Sequence, residues 1–98
     1  MKPPPLSVSP RAEDEAQEAA QRYEGESSGL GVAFLEVVDR TLDLIAERPL
    51  LFPVVYRDIR RALTKRFPYG VFFRLRPDRI RVIAIVHLAR HPSVWQRR

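Results

Sequence analysis

IRRALTKRFPYGVFFRLRPDRIRVIAIVH, residues 59–87, is where the chain abandons helical spacing for a period of two. Ile59–Leu63 reads as a short strand and Thr64–Phe67 as a basic connection. Tyr69–Arg76 and Arg79–His87 read as strong strands, because β-branched and aromatic residues fill them. Between them Arg76-Pro77-Asp78-Arg79 suits a type I turn with proline at its second position. Alternation places Tyr69, Val71, Phe73 and Leu75 on one face, and Ile80, Val82, Ala84 and Val86 on a matching face of the neighbouring strand.

Upstream of this stretch the period is helical. Leu6-Ser7-Val8 alternates and reads as a first strand at or near an edge. Ser9 then suits a helix N-cap with Pro10 at the first helical position, where a missing N–H costs nothing. Ala12, Ala16, Ala19, Ala20 and Tyr23 fall on one face, a seam that lets another helix approach closely. Residues 25–29, GESSG, break this helix. A second runs from near Leu30 to about Arg48, where Pro49 stops it, with Phe34, Leu35, Val38, Leu42 and Ile45 as its apolar stripe. Two helices joined by a short glycine-bearing loop make an αα-hairpin. Phe52-Pro53 reads as a loop with an anchoring aromatic.

The chain has 98 residues, enough for one small core. It lacks cysteine, which rules out a disulfide scaffold and a Cys-based zinc site. Its two histidines have no carboxylates at ligand spacing, so neither a metal nor a cofactor is expected. No apolar run approaches a membrane span and no signal-peptide pattern precedes the first charges, which makes the cytoplasm the expected location. The net charge of +5 hides a polarised chain. Residues 1–50 hold five basic and ten acidic side chains, while residues 51–98 hold twelve basic and two acidic ones. Fifteen of the seventeen cations are arginine, suited to bidentate contacts with carboxylates or phosphates. Such a half asks for an anionic partner, nucleic acid or acidic protein.

Arg60–Tyr69 interleaves cations with rings. This suits either a gripping surface with stacking rings or a solvated strand edge whose rings belong to the core. His87 and His91 read more readily as hydrogen-bonded structural histidines than as a metal pair, since Pro92 discourages the helix such a pair needs. Trp95 reads as a hydrophobic plug that pins the tail to the sheet. No nucleophile motif and no glycine-rich phosphate cradle occurs.

The ordered set Leu30-Gly31-Val32-Ala33-Phe34-Leu35, Arg48-Pro49, Phe52-Pro53, RRALTKRFPYGVFFRLR and VIAIVHLARHPSVW resembles the ParE branch of the RelE/ParE toxin superfamily. The likeness spans about Leu6 to Trp95. Its most specific parts are Arg60–Tyr69 and the arrangement of His87, Arg90, Pro92 and Trp95. The resemblance implies an α+β fold, with a helical hairpin packed on a small twisted antiparallel β-sheet in the order β-α-α-β-β-β. One domain over residues 1–98 is expected, with residues 1–5 a flexible lead-in and residues 89–98 a basic tail. The resemblance further implies the toxin of a type II toxin–antitoxin pair, neutralised by a ParD-like antitoxin and acting on DNA gyrase by protein contact. Residues expected to meet target or antitoxin are Arg60, Arg61, Lys65, Arg66, Arg74 and Arg90, with Trp95 setting the tail. The alternative is a RelE-like ribosome-dependent mRNA endonuclease, which binds nucleic acid directly; His87, Arg61, Lys65 and Arg90 would then carry catalysis. Against it stand Gly70, where RelE-like enzymes tend to carry a phosphate-binding arginine, and Trp95, where they tend to carry tyrosine.

Overall fold

The structure, a computed structural model, describes residues 4–98. The elements run β1 (Leu6–Val8), α1 (Pro10–Glu26), α2 (Leu30–Glu47), a 3-10 turn (Pro49–Leu51), β2 (Val54–Tyr56), β3 (Ile59–Leu63), β4 (Tyr69–Leu75), β5 (Ile80–His87) and α3 (Ser93–Gln96). One five-stranded sheet has the order β1-β5-β4-β3-β2. The α+β class and the hairpin-then-sheet order are as expected. The sheet is mixed rather than antiparallel, because β1 pairs parallel with β5, Leu6 opposite Ile80 and Val8 opposite Val82. A period of two marks a strand but says nothing of its neighbour's direction.

The lead-in expected over residues 1–5 lies outside the described residues as far as Pro3. Pro5 is tied down, its carbonyl accepting the Ile80 N–H at 2.8 Å. Strand β2 follows directly on the Phe52-Pro53 loop, at residues for which no strand is expected from the sequence. A two-residue turn, Arg57-Asp58, folds it onto β3, with Arg57 at φ 50°. Val54-Val55-Tyr56 has no apolar–polar alternation to mark it.

Local chemistry sets the helix ends. Ser9 Oγ accepts the Ala12 N–H at 3.1 Å, as an N-cap should. Helix α1 continues through Gly25 to Glu26, and the Glu24 carboxylate reaches across to accept the N–H groups of Gly29 and Gly31. The first turn of α2 is therefore capped by α1. At the helix crossing a Cβ on Gly31 would lie 2.5 Å from the Ala20 carbonyl oxygen, so the backbones touch there. The alanine seam of α1 is buried, as are Phe34, Val38 and Ile45 of α2. This pair covers Tyr69, Val71, Phe73, Ile80 and Val82.

The other face of the sheet is covered too. Ile59, Phe72, Ile83, Ala84, Val86 and Trp95 form a second core there. Alternation groups Ala84 and Val86 with Ile80 and Val82, which face the hairpin. A β-bulge overturns this: Phe72 pairs with Ala84 but Phe73 pairs with Val82, leaving Ile83 as the extra residue. Beyond the bulge the alternation inverts, and Ile85 instead faces the hairpin core. Among the described residues no helix is long and apolar enough to cross a membrane.

Candidate functional site

The expected site residues do not form one patch. Arg60 turns to the hairpin side, where its Nη1 donates to the Phe52 carbonyl at 2.7 Å. It anchors the segment that follows α2. Arg61 stands opposite Phe72 on the second face, with its Nε buried and unpartnered. Lys65 and Arg66 are exposed in the β3–β4 connection, where Arg66 takes φ 70° and lies over the Phe67 ring at 5.2 Å. Arg74 is at the far end of β4, and its Nε donates to Asp58 at 3.2 Å. Arg76 joins the same carboxylate. This Arg76 hydrogen bond, seconded by Arg74, holds Asp58 below the usual carboxylate range.

Trp95 lies against the sheet, where its reading as a plug that pins the tail put it. It is buried, stacked on Phe72 with ring centroids 4.2 Å apart and an interplanar angle of 18°. Its other neighbour is the edge of Tyr56. Gly70 has the same cause. A Cβ there would lie 2.9 Å from Phe72 Cε1 and 3.2 Å from Leu88 Cδ2, so any side chain would have to displace the ring that holds Trp95.

His87 packs edge-on against Tyr69, at 5.3 Å between centroids, and its Nδ1 accepts the Ala89 N–H at 3.0 Å. With Nδ1 turned to the backbone, Nε2 is the ring nitrogen left to face outward. Arg90 closes a small cleft beside it, shared with Arg22 and Glu18. Tyr69 Oη accepts from Arg22 at 3.1 Å. Desolvation, with Tyr69 next, raises the neighbouring Tyr23 above the usual phenol value. His91 is occupied locally, its Nδ1 accepting the Ser93 N–H at 3.1 Å.

The feature that charge reading alone missed is apolar. Strand β2 covers only the first part of β3, with Val54 opposite Arg60 and Tyr56 opposite Ile59. One further bond, Arg61 N–H to the Pro53 carbonyl at 3.1 Å, ends the pairing. Beyond it the outer edge of β3 is open at Leu63. Between this edge and α2 lies a groove of about 200 Å³, floored by Val37, Thr41, Leu44, Phe52 and Leu63 and rimmed by Arg40 and Lys65. Leu63 is 55% exposed, and Leu50, Leu51 and Val54 nearby are exposed as well. The signal was present in the sequence: Leu44 lies off the α2 stripe, and Leu50-Leu51 follow Pro49 where turn residues are usually polar.

The profile of the ParE toxin of the type II toxin–antitoxin system parDE matches residues 6–92 of this chain. A chain in the solved chromosomal ParDE toxin–antitoxin system from P. aeruginosa superposes with a TM-score of 0.75 at 13% sequence identity. The match covers 87% of this chain and 96% of that one. No curated protein sequence matches significantly.

Proposed function

Because the chain belongs to the ParE toxin family of type II toxin–antitoxin systems, we propose that it acts by protein contact on DNA gyrase and is silenced by a ParD-like antitoxin seated in the α2–β3 groove. The carrying observation is that groove: an apolar floor, a basic rim and an open strand edge side by side. An acidic amphipathic segment satisfies all three, burying its apolar side chains on Leu44 and Leu63 while its carboxylates meet Arg40 and Lys65. If it enters extended, the β3 edge offers backbone hydrogen bonds. The rim charges speed encounter more than they deepen affinity.

The nuclease reading finds less support. A phosphate-binding side chain at Gly70 would have to displace the Phe72 ring, and Trp95 is buried. Purified protein should inhibit gyrase supercoiling at near-stoichiometric ratio, and added antitoxin should reverse this. Unimpaired supercoiling at excess protein, together with codon-linked mRNA cleavage after induction, would replace the proposal with the nuclease reading.

A further inference from the structure

A second cavity lies at the opposite end of β4 from His87 and Gly70, on the sheet face away from the helical hairpin. It measures about 570 Å³ and is lined by six arginines, Arg11, Arg74, Arg76, Arg79, Arg81 and Arg98. Ser7 and Ser9 add hydroxyls, and Ile83 is its one apolar side chain. No acidic residue lines it. Asp58 pairs with Arg74 and Arg76, and Glu15 with Arg98. Among the described residues Arg11, Arg79 and Arg81 have no carboxylate within 4.0 Å.

The fold accepts a cost to assemble this. Arg74 and Arg81 are direct cross-strand partners, an arrangement in which like charges repel. Arg81 is relieved only by Ser7 Oγ, at 3.1 Å. Arg98 is nine-tenths buried; its terminal nitrogens bind Glu15 and the Ile83 carbonyl, yet its Nε is a buried donor without an acceptor. Helix α1 starts at the cavity wall, adding the positive end of its dipole. Unpaired guanidinium forks, hydroxyls and a helix start share one complement, an anion with several oxygens.

We propose that this cavity binds the phosphate backbone of double-stranded nucleic acid. Guanidinium forks match phosphate oxygens, and successive phosphates supply the charges that Arg11, Arg79 and Arg81 lack. The cavity holds no aromatic ring, so it lacks the stacking platform that single strands require. It also lacks the apolar pockets by which a peptide would be read. Contact confined to phosphates makes the binding independent of base sequence. The cavity shares no residue with the α2–β3 groove, so this site stands whether or not gyrase is the target.

The test is fluorescence anisotropy of a labelled mixed-sequence DNA duplex with the full chain across a salt series. The duplex should bind, and log affinity should fall linearly with log salt, by about 0.9 per phosphate neutralised. R79Q/R81Q should weaken binding at least tenfold and flatten the slope by about 1.8, two phosphates' worth. K65Q/R66Q, at the other end of the sheet, should change affinity less than threefold. Equal losses in both variants would overturn the site, as would no loss in the first. Tighter binding of the single strand would overturn the duplex assignment, and equal competition by polyglutamate of matched charge would assign the cavity to an acidic protein. Titrating the unmutated protein with inorganic pyrophosphate should move the NMR signals of Ser7, Arg81 and the Arg98 side chain. Shifts elsewhere would count against the cavity even if the double variant proved unstable.

Discussion

Trp95 fastens the chain's last turn to the sheet by stacking on Phe72 and meeting Tyr56 edge-on. Trp95→Ala should therefore cost about 3–5 kcal/mol, measured as a lower urea midpoint, with the second core losing its largest member. Trp95→Phe should retain most of the stability, since ring on ring survives. Asp58 makes a smaller, pH-dependent contribution. Its carboxyl is held low by Arg76 and Arg74, so the contact is complete above the ordinary aspartate value and vanishes as pH falls through the depressed one. A melting series from pH 6 to 2 should show acid destabilisation that Asp58→Asn partly abolishes. An unchanged profile in the variant would remove Asp58 from the account.

At the scale of elements, the β-bulge at Ile83 organises one side of the molecule. Beyond the end of β1 the β5 edge needs another partner, and Glu15 of α1 accepts the Ile85 N–H at 3.2 Å. Arg98 then closes on Glu15 with Nη1–Oε1 at 2.7 Å and Nη2–Oε2 at 2.9 Å, while Nη1 also donates to the Ile83 carbonyl. Helix α1, strand β5 and the C-terminal turn are thus latched by one ion pair, both members mostly buried. Arg98→Ala leaves Glu15 buried without its cation and should cost about 3 kcal/mol, read from the melting temperature. Arg98→Lys should recover only part, because an ammonium cannot make the two-pronged contact. The elements themselves were largely legible: Ser9-Pro10 marked the start of α1, Pro49 the stop after α2, and β-branched runs the two long strands. What alternation cannot show is a bulge, since one inserted residue inverts every position after it. Ala84 and Val86 part from Ile80 and Val82 for that reason. Strand β2 is not legible because Val54-Val55-Tyr56 is apolar throughout and does not alternate.

Across the whole molecule, charge polarity is visible in the sequence but its grouping is not. Charge clustering and family likeness group Arg60, Arg61, Lys65, Arg66, Arg74 and Arg90. Folding sends Arg60 to the Phe52 carbonyl, Arg74 to Asp58 and Lys65 to the rim of an apolar groove. Antiparallel strands return distant residues to one end and carry neighbours apart, so patches assemble across strands rather than along them. The groove was harder still to read, because it depends on where β2 stops covering β3. Neutralising Lys65 and Arg66 should slow antitoxin association several-fold and reduce its salt sensitivity, with a smaller effect on dissociation, as stopped-flow kinetics would report. The most direct measurement is calorimetric titration of a ParD-like antitoxin into the folded protein and its Leu63→Asp variant. The groove assignment predicts at least a tenfold weaker complex for the variant, whose exposed position leaves folding intact. Equal affinity for both proteins would contradict it and move the antitoxin to another surface.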